Sequence, residues 1–589
     1  MPTIFDLVET GLSLNPGIAC STKRGGKWHP TSVADFREQI EAFALGLHAI
    51  GIRKGDRVAL HSENSTEWLV IDQAILSLGA VTVPIYTTQH PDQTRYIIEN
   101  AEARVYIVST EELFESQRTF MDQAVERISA IGILGSYADR MQTYAEILDK
   151  GRALRGSYPD LHLKIQQNVS PEDLATLIYT SGTTGTPKGV MLSHSNLASS
   201  VVAVSERLPF DAARHRGDNM LSYLPLAHAL ERAATIVYLY IGSSIHFVED
   251  FTEIADDFKV VRPLHMATVP RLLEKVHAAI RKNAAAAGGL KGKLAMWAIS
   301  LAENYDVTST THSLKLRLAD RLVFSKIRDK VFGGNLQALT SGGAALAPVV
   351  MSFFNGIGIF CGQGYGLTET SPVISIYKKG HLKPGSIGLP VIDVEVKIAD
   401  DGEILARGPN IMQGYYKMPD QTAEVMSEGG WFHTGDIGHL DEDGHLYITD
   451  RKKQLFKLST GKYVAPTPVE VALTSTPFIE QAIVVGSERK YCGALLVLDT
   501  AAVREHFGEA VASASDEDLP VNPDVVALIE ESVTGANEGL SHWEQIKKHC
   551  ILARPFTIEA DEMTPTMKLR RRTIRQRYQS QIDALYAET

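Results

Sequence analysis

Cysteine is scarce in this chain of 589 residues, and its four cysteines stand far apart as Cys20, Cys361, Cys492 and Cys550. No two of them have the CxxC spacing of a zinc site, and four widely separated thiols do not form the pattern of a disulfide framework. Both kinds of site are therefore excluded as organising features, and this cysteine usage is typical of a reducing cytosol.

Long apolar runs and an excess of basic charge are also missing. No segment reaches the roughly 18 apolar residues that a membrane-spanning helix needs, and the first residues carry acids rather than the apolar core of a secretory signal. The formal net charge of −12 argues against a protein whose main task is to bind nucleic acid. We expect a cytoplasmic protein, for which peripheral contact with the inner face of a membrane stays open.

Three common enzyme motifs are absent as well. No GxSxG elbow occurs, which excludes a serine esterase of the α/β-hydrolase type. Lys188 lies between Pro187 and Gly189, so the glycine-rich segment around it is not a Walker A loop. The glycines of residues 362–366 follow a GxGxG spacing and lack the third position of a dinucleotide fingerprint.

Apolar residues in the first half of the chain alternate between helical and strand spacing. Phe36, Ile40 and Phe43 recur at helical spacing behind Ser32-x-x-Asp35, which resembles a capping box. Short apolar runs at residues 57–61 and 80–85 flank a second amphipathic segment. Such alternation predicts parallel sheets with helices packed on both faces, so the predicted fold class is α/β.

The pattern changes in the last third of the chain. The turns Asp401-Gly402 and Asp443-Gly444 separate short strand-like runs, which predicts a small antiparallel or barrel-like piece. A polar stretch around residues 450–453 ends that piece, and strands, helices and a basic segment follow. We place the main domain boundary at this stretch.

One loop stands out by composition. After an apolar run at residues 175–179, residues 180–189 contain five hydroxyl side chains, three glycines and one lysine. Glycines allow backbone N–H groups to approach a phosphate, while hydroxyls and Lys188 add donors and charge. Composition alone leaves two interpretations open, a phosphate-binding loop or a flexible surface turn.

Four further segments have the same ambiguity. His228 beside Pro225 suits either a pocket that orients a carboxylate or a satisfied core position, and Ser341-Gly342-Gly343-Ala344 suits a flat ligand or a plain tight turn. Asp436 after a glycine is often only a turn residue. The basic cluster after Pro565 is equally consistent with a solvated face.

Taken together, these segments resemble the motifs of the adenylate-forming superfamily of acyl-CoA synthetases, luciferases and adenylation domains. YTSGTTGTPK (residues 179–188), PLAH (225–228), YGLTE (365–369), TGD (434–436), DRKK (450–453) and PTMK (565–568) occur in that family's order through almost the whole chain. The helical pattern of residues 291–331, the segment 537–548 and PTMKLRRR are most like those of bacterial long-chain fatty acid–CoA ligases.

The resemblance implies a role for each matching position. The implied catalytic residues are Lys568, Thr184, Glu369 and His228, and Glu369 is also implied to hold Mg²⁺. The implied ATP- and AMP-binding residues are Thr180, Ser181, Gly182, Thr183, Thr184, Lys188, Gly342, Gly343, Ala344, Gln363, Gly364, Tyr365, Gly366, Thr368, Asp436 and Arg451.

The resemblance also implies how the domains are arranged in the chain. Residues 1–450 would form a large N-terminal domain of helix-flanked sheets plus the barrel-like piece, 451–453 a hinge at Lys453, and 454–589 a small mobile α+β domain. Gly461 and Lys462 would lie along the path of CoA. Thr460 stands where relatives often have glycine, and a β-branched residue disfavours positive φ, which puts the backbone there in doubt.

The implied reaction joins a long-chain fatty acid to CoA with MgATP, through acyl-AMP and pyrophosphate. ATP, Mg²⁺ and CoA are the expected cofactors and co-substrates, and the expected assembly is a monomer or homodimer. Two alternatives stay open: a fatty acyl-AMP ligase that donates to a carrier protein, and a catalytically silent acyl-AMP-binding protein. We expect no carrier domain after residue 589, which argues against a stand-alone adenylation module.

Overall fold

The computed structural model describes residues 1–118, 129–137, 141–181, 186–309, 313–452, 454–511, 514–564 and 568–587. The chain divides into two compact units. The large unit contains Met1–Lys397, Leu405–His433 and Asp441–Leu446, and the small unit contains Ile398–Ile404, Thr434–Leu440 and Tyr447–Thr589. The boundary at residues 451–453 stays a prediction, and Lys453 lies outside the described residues.

The large unit contains two sheets. The first has nine strands in the order Leu389–Pro390, Ser375–Ile376, Phe360–Tyr365, Ala338–Ser341, His265–Thr268, Asn219–Ser222, Ser244–Phe247, Ile18–Arg24 and Lys27–Ser32. The second has eight, in the order Gly414–Tyr415, Pro187–Ser193, Leu174–Ser181, Val81–Ile85, Arg57–His61, Val105–Val108, Ser129–Gly132 and Gln142–Thr143. The central strands of both sheets are parallel and the edge strands of the first are antiparallel.

Helices separate these strands along the chain, as the sequence predicts. They span Ile4–Leu12, Val33–Ala49, Thr66–Ser77, Pro91–Ala101, Glu111–Ser116, Tyr144–Ser157, Leu161–Gln166, His194–Ser205, Ala229–Tyr240, Ile254–Val261, Pro270–Ala286, Gly289–Glu303, Leu314–Ala319, Ser325–Phe332, Pro348–Gly356 and Pro419–Val425. Ser32 caps the second helix, since its Oγ accepts from the Asp35 N–H at 3.0 Å. The α/β class is confirmed.

Residues 395–451 form the antiparallel piece that the Asp-Gly turns predict. Its strands are Glu395–Ile398, Glu403–Arg407, Trp431–Leu440 and Met426–Ser427 in that order, with Leu446–Arg451 also paired to Trp431–Leu440. Gly402 and Gly444 have φ values of 84° and 82° at the predicted turns, a conformation that glycine adopts without strain.

The small unit is built on a three-stranded sheet of Ile479–Val485, Cys492–Leu498 and Ile546–Leu552. Every residue of Cys492–Leu498 is buried. Alternate side chains point to opposite faces of a strand, so Ala494 and Leu496 enter one hydrophobic cluster and Leu495 and Val497 the other. The helices Pro466–Thr474, Thr500–Phe507, Pro523–Asn537, Arg571–Arg577 and Gln579–Tyr586 and the hairpin Phe456–Lys457 with Tyr463–Val464 complete the unit.

Within the described ranges, no helix is both long and apolar enough to cross a membrane.

Candidate functional site

The carboxyl ends of three parallel strands in the nine-stranded sheet bring two predicted segments to one edge. His265–Thr268, Ala338–Ser341 and Phe360–Tyr365 are aligned with Thr268 beside Ser341 and Ser341 beside Gln363. Residues that follow these strands therefore emerge together, which is where open α/β sheets bind ligands. The structure thus brings together Gly342–Ala344 and Gly364–Gly366, which are distant in sequence.

Glycine keeps backbone exposed at this edge. Gly343 has φ of 82°, and a Cβ built on it meets no atom within 4 Å. Gly343 and Ala344 are exposed, whereas Gly342 is buried with its N–H donated to the Thr268 carbonyl at 3.0 Å. A Cβ on Gly366 would lie 1.9 Å from the Pro372 carbonyl oxygen. Gly343 therefore leaves the backbone accessible at this edge, whereas Gly366 is required by close packing against Pro372.

The buried side chain of Gln363 holds this edge in place through hydrogen bonds to backbone groups. Its side chain is buried, accepts from the Leu346 N–H at 2.8 Å and donates to the Ser386 carbonyl at 3.3 Å. It thereby ties the loop after Ala338–Ser341 to the strand Phe360–Tyr365. The contacts that the structure gives to Gln363 are with backbone, and its role toward a nucleotide stays a prediction.

Glu369 lies in a short 3-10 turn, Thr368–Thr370, directly after this edge. Its Oε1 accepts a hydrogen bond of 2.9 Å from the Tyr415 hydroxyl. The ammonium of Lys188 lies 4.8 Å from the centroid of the same tyrosine ring, within the range of a cation–π contact. One aromatic side chain thus connects the predicted metal-binding carboxylate with the lysine of the glycine-rich loop.

Tyr415 was not identified from the sequence. Burial, followed by the Glu369 carboxylate, raises the pKa of its hydroxyl, so the hydroxyl stays a proton donor at neutral pH. Asn410, also missed, donates to the carbonyls of Thr370 and Val373 at 3.1 and 2.7 Å and so fixes the turn that carries Glu369. No local spacing signals either residue, because their partners lie about forty positions away in sequence.

The glycine-rich loop connects two antiparallel strands. Leu174–Ser181 pairs with Pro187–Ser193, and Thr180 is aligned with Lys188. The Tyr179 hydroxyl donates to Asn100 at 2.6 Å, which anchors the base of the hairpin. Gly182, Thr183 and Thr184 lie outside the described residues, so their roles stay predictions.

His228 caps the helix Ala229–Tyr240. Its Nδ1 accepts from the Leu230 N–H at 3.1 Å, so a neutral ring carries its proton on Nε2. The ring also lies edge-on to Tyr86, with centroids 6.4 Å apart. The cap fixes the ring orientation at the start of this helix, while a role toward substrate stays a prediction.

A buried carboxyl lies one turn further along the same helix. Glu231 is fully buried, and its Oε1 accepts from the Ser222 hydroxyl at 2.5 Å. Burial raises its pKa from the ordinary 4.5 to about 8, although the Ser222 hydroxyl and the Tyr223 N–H act in the opposite direction. Glu231 is therefore mostly protonated at neutral pH.

Two of the residues predicted to contact the nucleotide, Asp436 and Arg451, are paired with each other within the small unit. Arg451 Nε lies 2.9 Å from Asp436 Oδ1. Asp436 is buried, and its N–H donates to the Thr434 hydroxyl at 3.1 Å. The pairing of Trp431–Leu440 with Leu446–Arg451 brings these two residues together, although they are separated along the chain.

The doubt about Thr460 is resolved by its neighbour. Gly461 has φ of 86°, and Thr460 is not among the residues with positive φ. The residue with positive φ in this turn is thus a glycine, which adopts that conformation without strain. Lys462 is exposed, with its ammonium 4.8 Å from the centroid of the Trp543 ring.

Lys568 is hydrogen-bonded to Thr564 in the small unit. Its N–H donates to the Thr564 hydroxyl at 3.0 Å, and its carbonyl accepts from the Thr564 N–H at 2.8 Å. The residue is exposed. The neighbouring arginines are already paired, Arg570 with Asp561 at 2.6 Å and Arg571 with Glu470.

The donor chemistry at Glu369 fits a magnesium ion bound mainly by a substrate. Among the described residues, no group of three or more His, Cys, Asp or Glu side chains could hold a metal. Mg²⁺ prefers oxygen donors and is often held by one or two carboxylates plus substrate phosphates and water. A single carboxylate held by Tyr415 is therefore a sufficient protein contribution.

The overall fold matches that of known adenylation domains. A solved structure of the adenylation domain of a carboxylate reductase from Mycobacterium chelonae superposes with a TM-score of 0.75 at 23% identity, covering 100% of this chain and 91% of that one. At this identity the likeness concerns the fold alone.

The chain belongs to the AMP-binding enzyme family. The model for AMP-binding enzymes matches residues 15–416, and the model for the AMP-binding enzyme C-terminal domain matches residues 453–589. The long-chain-fatty-acid–CoA ligase FadD15 of Mycobacterium bovis is 37% identical over 573 residues, covering 95% of this chain and 93% of that protein. The peroxisomal long chain acyl-CoA synthetase 6 of Arabidopsis thaliana is 34% identical, covering 93% and 80%. The predicted membership of the adenylate-forming superfamily is confirmed.

Proposed function

We propose that this chain is an ATP-dependent, AMP-forming long-chain fatty acid–CoA ligase. The observation that carries the proposal is the match over 95% of the chain, at 37% identity, to a long-chain-fatty-acid–CoA ligase. The strand-end edge beside Gly343 and the Lys188–Tyr415–Glu369 contacts support a nucleotide site in the large unit.

The reaction has two steps at one site. A carboxylate oxygen of the fatty acid attacks the α-phosphorus of ATP, the bond from that phosphorus to the bridging oxygen breaks, and pyrophosphate leaves. The sulfur of CoA then attacks the acyl carbonyl carbon. The bond to AMP breaks, and the products are the thioester and AMP, with the thiol proton released to solvent.

The large unit holds the nucleotide and its phosphates. Thr180, Ser181, Gly182, Thr183, Thr184 and Lys188 cradle the pyrophosphate portion. Gly342, Gly343, Ala344, Gln363, Gly364, Tyr365 and Gly366 bind the adenosine part, with the Tyr365 ring against the adenine, and Thr368 bonds a phosphate. His228, with its ring oriented by the Leu230 N–H, acts on the substrate carboxylate. Glu369 would hold Mg²⁺, which neutralises phosphate charge when bound.

Residues later in the chain supply the remaining contacts. Asp436 accepts from the ribose hydroxyls, and the guanidinium of Arg451, held beside it, contacts the ribose or a phosphate. Lys568 places a cation beside the attacking carboxylate and the α-phosphate, where negative charge develops in the transition state. Residues 451–453 act as the hinge at Lys453 between a domain of residues 1–450 and one of 454–589. Gly461 and Lys462 line the path of CoA.

A product assay with the full chain tests the proposal. Saturated acids from short to long chain length are incubated with MgATP with and without CoA, and AMP, pyrophosphate and thioester are measured separately. We expect thioester and AMP in equal amounts with long-chain acids.

Other product patterns would contradict the proposal. Acyl-AMP without thioester would indicate an acyl-AMP ligase that uses a carrier protein, and the absence of every product would indicate a silent binder. Glu369→Gln is the matched negative control, because the amide keeps the shape but loses the charge that holds Mg²⁺. Its pyrophosphate release should fall at least about a hundredfold, as for the loss of a charge-stabilising group.

A further inference from the structure

Two neighbouring helical segments of the large unit leave apolar side chains in solvent. The helix Gly289–Glu303 contacts the segment formed by Leu314–Ala319 and its π-helical continuation Asp320–Phe324. Six large exposed apolar residues lie on them: Leu290, Leu294, Trp297, Leu314, Leu318 and Leu322. Leu290 is 89% exposed and Leu314 is 82% exposed. We call these six residues the leucine surface.

Their spacing places them in stripes. Residues three or four positions apart share one face of a helix, as do Leu290, Leu294 and Trp297. The opposite face of this helix is already used for packing, since Gly292, Ile299 and Ala302 are buried. A surface helix needs one apolar face to pack on its protein. The second face therefore has no role in the described fold, and a patch of this kind marks an interaction site.

Cations flank both stripes. At 100° per residue, Lys291 and Lys293 fall on either side of the Leu290 stripe, and Lys315 and Arg317 on either side of the Leu314 stripe, with Arg321 one turn beyond. All five are exposed. Within the described part of the chain, none of the five forms an ion pair or a side-chain hydrogen bond.

The acidic residues of these segments do not offset this charge. Glu303 lies 2.6 Å from Arg281 and 2.8 Å from His277 of the preceding helix. Asp320 lies 2.6 Å from Arg328. Unpaired positive charge therefore surrounds the leucine surface on a chain whose formal net charge is −12.

We propose that the leucine surface docks the chain on an anionic lipid bilayer. Exposed leucines and a tryptophan bounded by Lys and Arg are the composition of helices that lie in the membrane interface. The cations reach lipid phosphates while their aliphatic stems lie along the apolar stripe. A symmetric pair of chains would press the same five cations against their own copies, so charge favours a lipid surface over a second copy. The docking surface does not depend on the proposed ligase activity.

Vesicle co-sedimentation of the full chain tests this proposal. The probes are large unilamellar vesicles of phosphatidylcholine alone and of phosphatidylcholine with about one-third phosphatidylglycerol, a fraction that gives a negative surface potential. We expect binding to the anionic vesicles, weak binding to the neutral ones, and release at about 1 M salt, where screening is strong.

Two sets of variants separate the apolar and charged contributions. L290E/L294E/L318E should abolish binding. Each of Lys291→Gln, Lys293→Gln, Lys315→Gln, Arg317→Gln and Arg321→Gln should weaken affinity about fivefold, the equivalent of about 1 kcal/mol per charge. The control is Val260→Glu, on the helix Ile254–Val261, because this residue is also exposed (66%) but lies outside the surface; it should bind as the wild type does.

Three results would overturn the proposal. The first is a wild-type chain that stays in solution with anionic vesicles, and the second is L290E/L294E/L318E binding as well as Val260→Glu. The third is a wild-type dimer in light scattering that becomes monomeric in L290E/L294E/L318E without any vesicle binding, which would assign the surface to a second copy. Circular dichroism and turnover of a long-chain acid without vesicles should be unchanged in all variants, so that loss of binding is distinguished from misfolding and from failure of the ligase assignment.

Discussion

At the scale of single residues, Tyr415 does two things at once. It is buried, its ring faces the Lys188 ammonium, and its hydroxyl donates to Glu369. Because burial and the Glu369 charge raise the pKa of the hydroxyl, that donor is retained through the neutral range. The tyrosine therefore sets the position of the Glu369 carboxylate.

Replacing Tyr415 by phenylalanine tests this role. The ring that faces Lys188 stays, but the bond to a charged carboxylate is lost, and such bonds contribute about 1.5–3 kcal/mol. We expect pyrophosphate release in Tyr415→Phe to fall roughly ten- to a hundredfold. Tyr416→Phe, one position along the chain, is the control and should be close to wild type. Equal activity of the two variants would show that the Glu369 bond is unimportant for the reaction.

Glu231 makes stability depend on pH. Its folded pKa of about 8 lies above the ordinary 4.5, so between these values folding takes up a proton that the unfolded chain has released. The stabilisation of the folded state by Glu231 is therefore fully present below about pH 4.5 and is lost as pH rises toward 8.

The variant Glu231→Gln should not show this loss, because the amide can still accept from Ser222 and has no charge to desolvate. As pH rises from about 5 to about 8, we expect the unfolding free energy of the variant to increase relative to that of wild type by on the order of 3–5 kcal/mol. Urea unfolding at both pH values measures the difference, with the exposed Glu99→Gln as control. A parallel decline in wild type and variant would place the pH dependence elsewhere.

At the scale of elements, a buried ion pair links two helices of the large unit. Arg232, on Ala229–Tyr240, donates to both oxygens of Asp72, on Thr66–Ser77, at 2.6 and 3.0 Å. Its remaining terminal nitrogen donates to Thr176 in the strand Leu174–Ser181 at 2.8 Å. Both ends of the pair are fully buried, so neither charge has water as an alternative partner.

Arg232→Met should therefore be strongly destabilising. The variant leaves Asp72 as an unpaired buried carboxylate, and breaking such a pair costs about 3–5 kcal/mol. Arg95→Met, which breaks the exposed pair with Glu99, is the control and should cost about 0.5 kcal/mol or less. Thermal unfolding of both variants gives the comparison. If the two were equally stable, the pair would have no structural role.

At the scale of the whole molecule, the proposed chemistry needs residues of both units in turn. Lys568 belongs to the small unit, and Lys188, Tyr365 and Glu369 belong to the large one. We propose that the domain of residues 454–589 turns about Lys453 after adenylation, which withdraws Lys568 and opens a route for the thiol. Such gating lets one site carry out two reactions.

Lys568→Ala separates the two half-reactions. We expect acyl-adenylate formation to fall about a hundred- to a thousandfold, because the cation beside the α-phosphate is lost, while CoA transfer from supplied acyl-adenylate stays near wild type. Pyrophosphate release measures the first and thioester formation the second. Lys548→Ala, also exposed in the small unit, is the control. An equal fall in both half-reactions would contradict the exchange of domains.

Local patterns in the sequence predicted much of the fold. The cap at Ser32, the turns at Gly402 and Gly444 and the alternation of helices and strands depend on neighbouring residues, so spacing reveals them. The site was predicted less completely. Glu369 belongs to a readable motif, but its partner Tyr415 lies 46 positions away, and no periodicity connects the two.

By itself the sequence determined the α/β class, the motifs and the membership of a nucleotide-using family, because local backbone preferences and short strings of chemically specific residues carry that information. Only the tertiary structure decided which distant side chains share a site: Glu369 with Tyr415, Asp436 with Arg451, and Asp72 with Arg232. It also decided that the apolar residues of Gly289–Glu303 exceed what packing buries. The physical reason is that strand order and helix packing bring together residues far apart in the chain, and burial then decides which of their polar groups must pair.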